Sequence, residues 1–211
     1  MKEITISPVT RVEGHAGIKI FLNEQGEVDS AHFQVVELRG FEKFLVGAAI
    51  EEAPRITPRI CGICPSAHHL AAAKATDQIF GVEPPATGKK LRELLNIGQF
   101  IHSHALHFFM LAAPDFILGY DAPAEERNVI GLARHSPEIA KKAIAVRKFG
   151  QRLTEAVGGK PIHPANALSG GMSAPLTEGK RAELVTMADE ALTIAREGWD
   201  LARGLLDGVD T

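Results

Sequence analysis

Apolar positions follow a strand-like rhythm over the first 39 residues of this chain and a helical one afterwards. EITISPV, AGIKIFL and VDSAHFQVVEL are short runs rich in β-branched and aromatic residues, and NEQGE between the last two is a hairpin turn signal, so the start of the chain predicts a small antiparallel sheet. From GFEKFLVGAAIEEA onward, Phe41, Phe44, Leu45 and Ala48 or Ala49 fall on one side of a helix expected to end before Pro54. PSAHHLAAAKATDQIFG opens with a proline tolerated in the first turn and closes on Gly81 as a left-handed stop. TGKKLRELLNIGQFIHSHALHFFMLAA predicts a long buried helix ended by Pro114, and SPEIAKKAIAVRKFGQRLTEAVGG one that runs from a Ser-Pro start to a double glycine. A loop rich in proline and glycine, KPIHPANALSGGMSAP, precedes a last amphipathic helix from a Thr177 cap to Gly208. The expected fold is α+β and predominantly α: an N-terminal β segment over 1–40, then a long-helix bundle over 41–211, the two forming one structural unit.

Composition narrows the function classes. With 45% apolar residues in 211, the chain can bury a core of its own. A formal charge of -3, from 23 basic and 26 acidic residues mixed along the sequence, leaves no electrostatic footprint for nucleic acid or anionic lipid. The longest uncharged run, Asn96 to Pro114, carries three histidines besides Asn96, Gln99 and Ser103, which suits a buried helix and not a membrane span. MKEITISPVTRVEGH has no apolar stretch of signal-peptide length, so a cytoplasmic home is expected.

Both cysteines sit in RICGICPSAHH, residues 59–69. In a reducing compartment a lone Cys-x-x-Cys is more often metal-binding or redox-active than a structural staple. With Cys64 in the first turn of its helix, His68 four residues on faces the same side, so Cys61, Cys64 and His68 could converge on one soft metal. Zinc, nickel and iron all remain open on spacing alone. Redox use lacks the usual βαβ surroundings, and two cysteines packed as small hydrophobes are the bland alternative. Glu13 and His15 read by default as a surface ion pair, and Glu42 as a helix-start carboxylate. Of His102, His104 and His107 only the last two share a face, and core histidines with satisfied bonds are the expectation.

Several stretches together resemble the large, catalytic subunit of nickel-iron hydrogenases: PVTRVEGHAGI (8–18), LRGFEKFLVGAAIEEAPRITPRICGICPSAHHLAAAKA (38–75), SHALHFFMLAAPDF (103–116) and GGKPIHPANALSGG (158–171). The Arg-x-Cys-Gly-x-Cys-x-x-x-His string is the specific part, and its flavour is similar to the cytosolic branch that includes the methyl-viologen-reducing, F420-non-reducing enzymes. The resemblance implies a nickel-iron centre with carbon monoxide and cyanide on the iron, Cys61 as terminal nickel ligand and Cys64 as the thiolate bridging nickel and iron. It moves His68 from ligand to a supporting hydrogen-bond donor. It further implies that Glu13 relays protons, that Glu42 belongs to a magnesium site, and that His163 faces an iron-sulfur small subunit. Splitting dihydrogen needs soft thiolates, a base for the proton and an exit for electrons; with two cysteines this chain holds no cluster, so iron-sulfur clusters and any further electron-transfer subunits are expected as partners.

The family site uses four cysteines, the second pair in an Asp-Pro-Cys-x-x-Cys context that this sequence does not contain. The expectation is therefore the N-terminal half of a split large subunit, completed by a second chain with that pair; a truncated chain and a catalytically silent scaffold that docks an iron-sulfur protein are the competing readings. Ala48 stands where the family commonly has an arginine. The helix from Thr177 should carry an apolar stripe that later helices would cover.

Overall fold

A computed structural model describes residues 2–207 of the chain. They form two compact units, one up to Phe44 and one from Leu45.

The first unit is a three-stranded antiparallel sheet, β1 (Lys2–Ile6), β2 (Ala16–Leu22) and β3 (Val28–Val35), with β2 in the middle. Asn23 makes the expected turn: its Oδ1 accepts the N–H groups of Gln25 and Glu27 at 3.0 and 2.9 Å, and Gly26 takes φ +84°. The third strand stops at Val35, short of the predicted Leu38. The helix expected over 41–53 does not form as one piece. α1 (Phe41–Leu45) is barely more than a turn, Phe44 on its expected apolar side is exposed, and Gly47 at φ +85° breaks the path.

In the second unit a 3-10 turn (Ile50–Glu52) leads into α2 (Ala53–Ile56). Pro54 therefore begins a helix instead of ending one, in a first-turn position where its missing N–H costs nothing. Pro58 does the same in the next 3-10 turn, Thr57–Ile60. α3 (Pro65–Phe80) closes on Gly81 at φ +61°, as its sequence predicts. α4 (Ala86–Leu106) continues beyond the stop that Pro114 implies: it passes through a π-helical segment, His107–Ala112, into α5 (Ala113–Ile117). The widened segment shifts the bonding register, and Pro114 again occupies a first turn.

α6 (Val129–His135) has no counterpart among the expected elements, although Asn128 caps it by accepting from Ile130 and Gly131 at 2.9 and 3.2 Å. α7 (Pro137–Gly158) stops at Gly159, φ +84°, matching its double-glycine signal. The proline- and glycine-rich loop contains a small hairpin, β4 (Ala167–Leu168) and β5 (Gly171–Met172). α8 (Glu178–Asp207) starts at Thr177, whose hydroxyl accepts the Lys180 N–H at 3.4 Å; its expected stop at Gly208 lies outside the described residues.

Two apolar clusters hold this unit. Leu70, Leu95, Leu153 and Leu184 bring α3, α4, α7 and α8 together, and Phe109, Val146 and Ile194 fill the second. α4 and α7 cross on glycine. A Cβ added at Gly150 would lie 2.6 Å from the His102 backbone nitrogen and 2.8 Å from the Gly98 oxygen, so this crossing brings backbone against backbone.

Candidate functional site

The cysteine loop sits between a 3-10 turn and the start of α3. Cys64 is the residue before that helix, and its carbonyl accepts from Ala67 and His68 at 3.1 and 3.4 Å. Its own N–H donates to Cys61 Sγ at 3.2 Å, so the two cysteines share one tight turn. Both are half-buried.

Polar side chains fix this loop from three directions. Gln99 on α4 donates its Nε2 to the Ile63 carbonyl at 2.8 Å. His163, held at φ +55°, bonds through Nδ1 to the Pro58 carbonyl at 3.0 Å, and Thr57 donates to the His68 carbonyl at 3.2 Å. Each bond ends on a main-chain oxygen of the segment 58–68. The loop is thus positioned through its backbone.

Behind the loop lies His69, fully buried. Its Nε2 accepts the Ala167 N–H at 2.9 Å, which puts the ring proton on Nδ1, donated to the Pro54 carbonyl at 2.6 Å. Burial lowers its pKa, the Pro54 bond opposes this, and the Arg92 charge adds to the lowering, so the ring is neutral near pH 7. Next to it Arg92 grips Asp77 with two nitrogens and donates to the carbonyls of Leu168 and Gly171. Asp77 also accepts the Gly170 N–H at 2.7 Å. Burial works against its charge, but Arg92 and Gly170 outweigh it and hold the carboxyl below its usual range. The pair fastens the β4–β5 hairpin to α3 and α4.

Among the described residues no three His, Cys, Asp or Glu side chains form a group able to hold a metal. The convergence of Cys61, Cys64 and His68 that spacing alone allowed is therefore not formed; His68 is half-buried within the first two turns of α3. Two half-buried soft donors in one turn fit half of a thiolate cage and fall short of a whole one. In the other unit Glu13 is an exposed carboxylate in a bend, and Glu42 is exposed in the first turn of α1. One carboxylate suits a magnesium ion that keeps several waters or draws further oxygen ligands from elsewhere. His15 meets Glu37 at 2.7 Å, and this bond lowers the Glu37 pKa. Of His102, His104 and His107 only His102 is a core residue, receiving Arg147 Nε at 3.3 Å; His104 and His107 are exposed, contrary to expectation.

Comparison with known proteins gives this turn its context. The nickel-dependent hydrogenase family model matches residues 39–144, and a HoxL-like model matches residues 3–38. The vhu F420-non-reducing hydrogenase subunit of Methanocaldococcus jannaschii is 52% identical over 205 residues, 97% of this chain and 49% of that protein. The chain belongs to the nickel-dependent hydrogenase family. The corresponding F420-non-reducing hydrogenase subunit of Methanothermobacter thermautotrophicus is 48% identical over 206 residues, 96% of this chain and 43% of that one. The crystal structure of an NAD+-reducing NiFe-hydrogenase in the H2-reduced state superposes with a TM-score of 0.92 at 44% identity, covering 99% of this chain and 46% of that chain. The chain spans about half the length of the curated relatives it matches, and it corresponds to the N-terminal portion of a hydrogenase large subunit. Among the described residues no helix is long and apolar enough to cross a membrane.

Within this family fold, His163 is the one support of the cysteine turn that is also a candidate from the sequence; His69, Gln99, Arg92 and Asp77 are not. His69 shares the buried face of α3 with Ser66, Leu70 and Ala73, and a histidine at that spacing signals a buried ring that needs two partners. Gln99 carries the same signal on α4. Nothing local marks Arg92 and Asp77, 15 residues apart on two helices.

Proposed function

We propose that this chain supplies two of the four cysteine thiolates of a nickel-iron centre at which dihydrogen is cleaved reversibly to protons and electrons. The observation that carries the reading is the Cys61–Cys64 turn, with its N–H to sulfur bond and its backbone tethers, in a chain whose relatives are named hydrogenase subunits.

Cys61 serves as terminal nickel ligand and Cys64 as the bridge between nickel and iron, with carbon monoxide and cyanide completing the iron. When bound, that centre supplies a soft Lewis acid that polarises dihydrogen. His68 supports the bridging sulfur with a hydrogen bond, Glu13 passes the proton outward, and Glu42 contributes to a magnesium site. His163, already bonded to Pro58, faces an iron-sulfur small subunit that takes the electrons onward, to further electron-transfer subunits where the assembly has them. The second thiolate pair comes from the remaining half of the large-subunit fold, on the second chain expected from the sequence, and the assembly works in the cytoplasm.

The test is anaerobic co-expression with that half and an iron-sulfur subunit. Nickel in the purified assembly and infrared bands of iron-bound carbonyl and cyanide are expected, and Cys64→Ser should abolish both the bands and hydrogen uptake. A complex that assembles without nickel, and equally well with both cysteines replaced by serine, would establish the silent-scaffold reading instead.

A further inference from the structure

α8 is apolar on more of its circumference than its neighbours use. Leu184, Ala191 and Ile194 form its buried stripe against the two core clusters. A second apolar stripe runs beside the first. Val185, Leu192, Trp199 and Leu206 are 52%, 51%, 66% and 61% exposed and recur every seven residues. Ala188, Ala195 and Ala202 stand three residues after the first three of them; Ala188, on the border with the buried stripe, also packs against the first core cluster. The remaining face is polar, with Asp189, Glu190, Arg196 and Glu197 all exposed. A helix with one partner needs a single apolar stripe roughly 100° wide; this one carries two adjacent stripes and one polar face.

We propose that the outer stripe of α8 is a heptad seam that seats a helix from the half of the large-subunit fold lying outside this chain. Alternating large residues and alanines over three heptads is the pattern of a and d positions in a left-handed helix pair, and the alanines let the partner backbone approach closely. The seam runs for about 30 Å at 1.5 Å per residue, the length of a full interhelical contact. The occupant follows from the family match: the matched NiFe-hydrogenase chain is more than twice the length of the region that superposes, and this chain covers 49% of its relative from M. jannaschii. Facing the alanines, the partner helix presents large apolar side chains. The inference rests on the reading that a second half completes the site.

The probe is the remaining half of the M. jannaschii vhu protein, co-expressed with the tagged full chain and recovered on the tag. Leu192→Glu combined with Trp199→Glu should lower the recovered half at least tenfold, while Glu190→Gln on the polar face should leave it unchanged. All the substituted side chains are exposed, so circular dichroism and melting of the variants should match the parent. The more conservative Leu192→Gln should give an intermediate loss. Recovery unaffected by the seam variants would overturn the seam and leave the completing half standing. Failure of the parent chain to recover the half at all would overturn both. A differently tagged second copy of this chain, captured in its place and lost with Leu192→Glu, would assign the seam to self-association and overturn the proposal.

Discussion

The cysteine loop and the α4–α7 crossing are both firm parts of the same helical unit, and they are held by opposite means. Around the loop, buried polar side chains do the holding: His69 spans Pro54 and Ala167, Gln99 takes Ile63, and Arg92 with Asp77 takes the hairpin. At the crossing shape does the holding: Gly98 and Gly150 carry no side chains, so that two backbones meet, and apolar residues such as Leu95, Val146 and Leu153 pack around them. The first arrangement is directional and fails when a partner is removed. The second is steric and fails when an atom is added. A site whose ligands must stand at fixed distances gains from directional bonds, whereas a crossing needs only shape.

Removing a partner should therefore hurt most near the loop. Asp77→Ala leaves Arg92 buried without its carboxylate and should cost about 3–5 kcal/mol in urea unfolding, with the β4–β5 hairpin losing amide protection first. Asp77→Ala with no loss of stability would break the comparison. Adding one carbon at the crossing comes next: Gly150→Ala should cost about 1–3 kcal/mol, because the atoms it meets belong to backbone and cannot swing aside. Its effect should leave hairpin protection intact, the converse of the first variant. The smallest effect is a titration. His69 has a folded-state pKa below its ordinary 6.5, so the unfolded chain binds the proton more readily. Its contribution to stability is thus complete above pH 6.5, and shrinks as pH falls from there through the lower folded value. Protonated His69 cannot accept from Ala167, so the protection factor of the Ala167 amide should fall between pH 7 and pH 5 more than that of Gly150. Because burial and Arg147 also lower the His102 pKa, the global stability should decline with both histidines, and only the Ala167 signal isolates the loop.

Elements whose signals are local are legible in the sequence. The hairpin turn at Asn23, the span of α3 with its Gly81 stop and the span of α7 with its Gly159 stop all appear where residue types demand them. Proline is the misleading punctuation. Pro54 and Pro114 have the look of stops, yet they sit in first turns, as Pro58 does, because a change of helix type just before each opens a new first turn. α6 does not stand out, since seven residues carry too little periodicity, even with Asn128 as a cap. At the site, the Cys-x-x-Cys spacing and its helix junction are visible in the sequence. The supports are not, for Arg92 and the hairpin it holds are 79 residues apart, a separation that no periodicity spans.

That separation has a consequence in time. The bonds that steady the cysteine loop reach 98 residues from His69 to Ala167 and 105 from Pro58 to His163. On a ribosome the N-terminal part emerges first, so both sulfurs are outside long before the hairpin that braces them exists. Closing loops of such length is also slow compared with forming α3 itself. The newborn turn therefore passes through a loosely braced stage and stiffens only after residues 163–171 have docked.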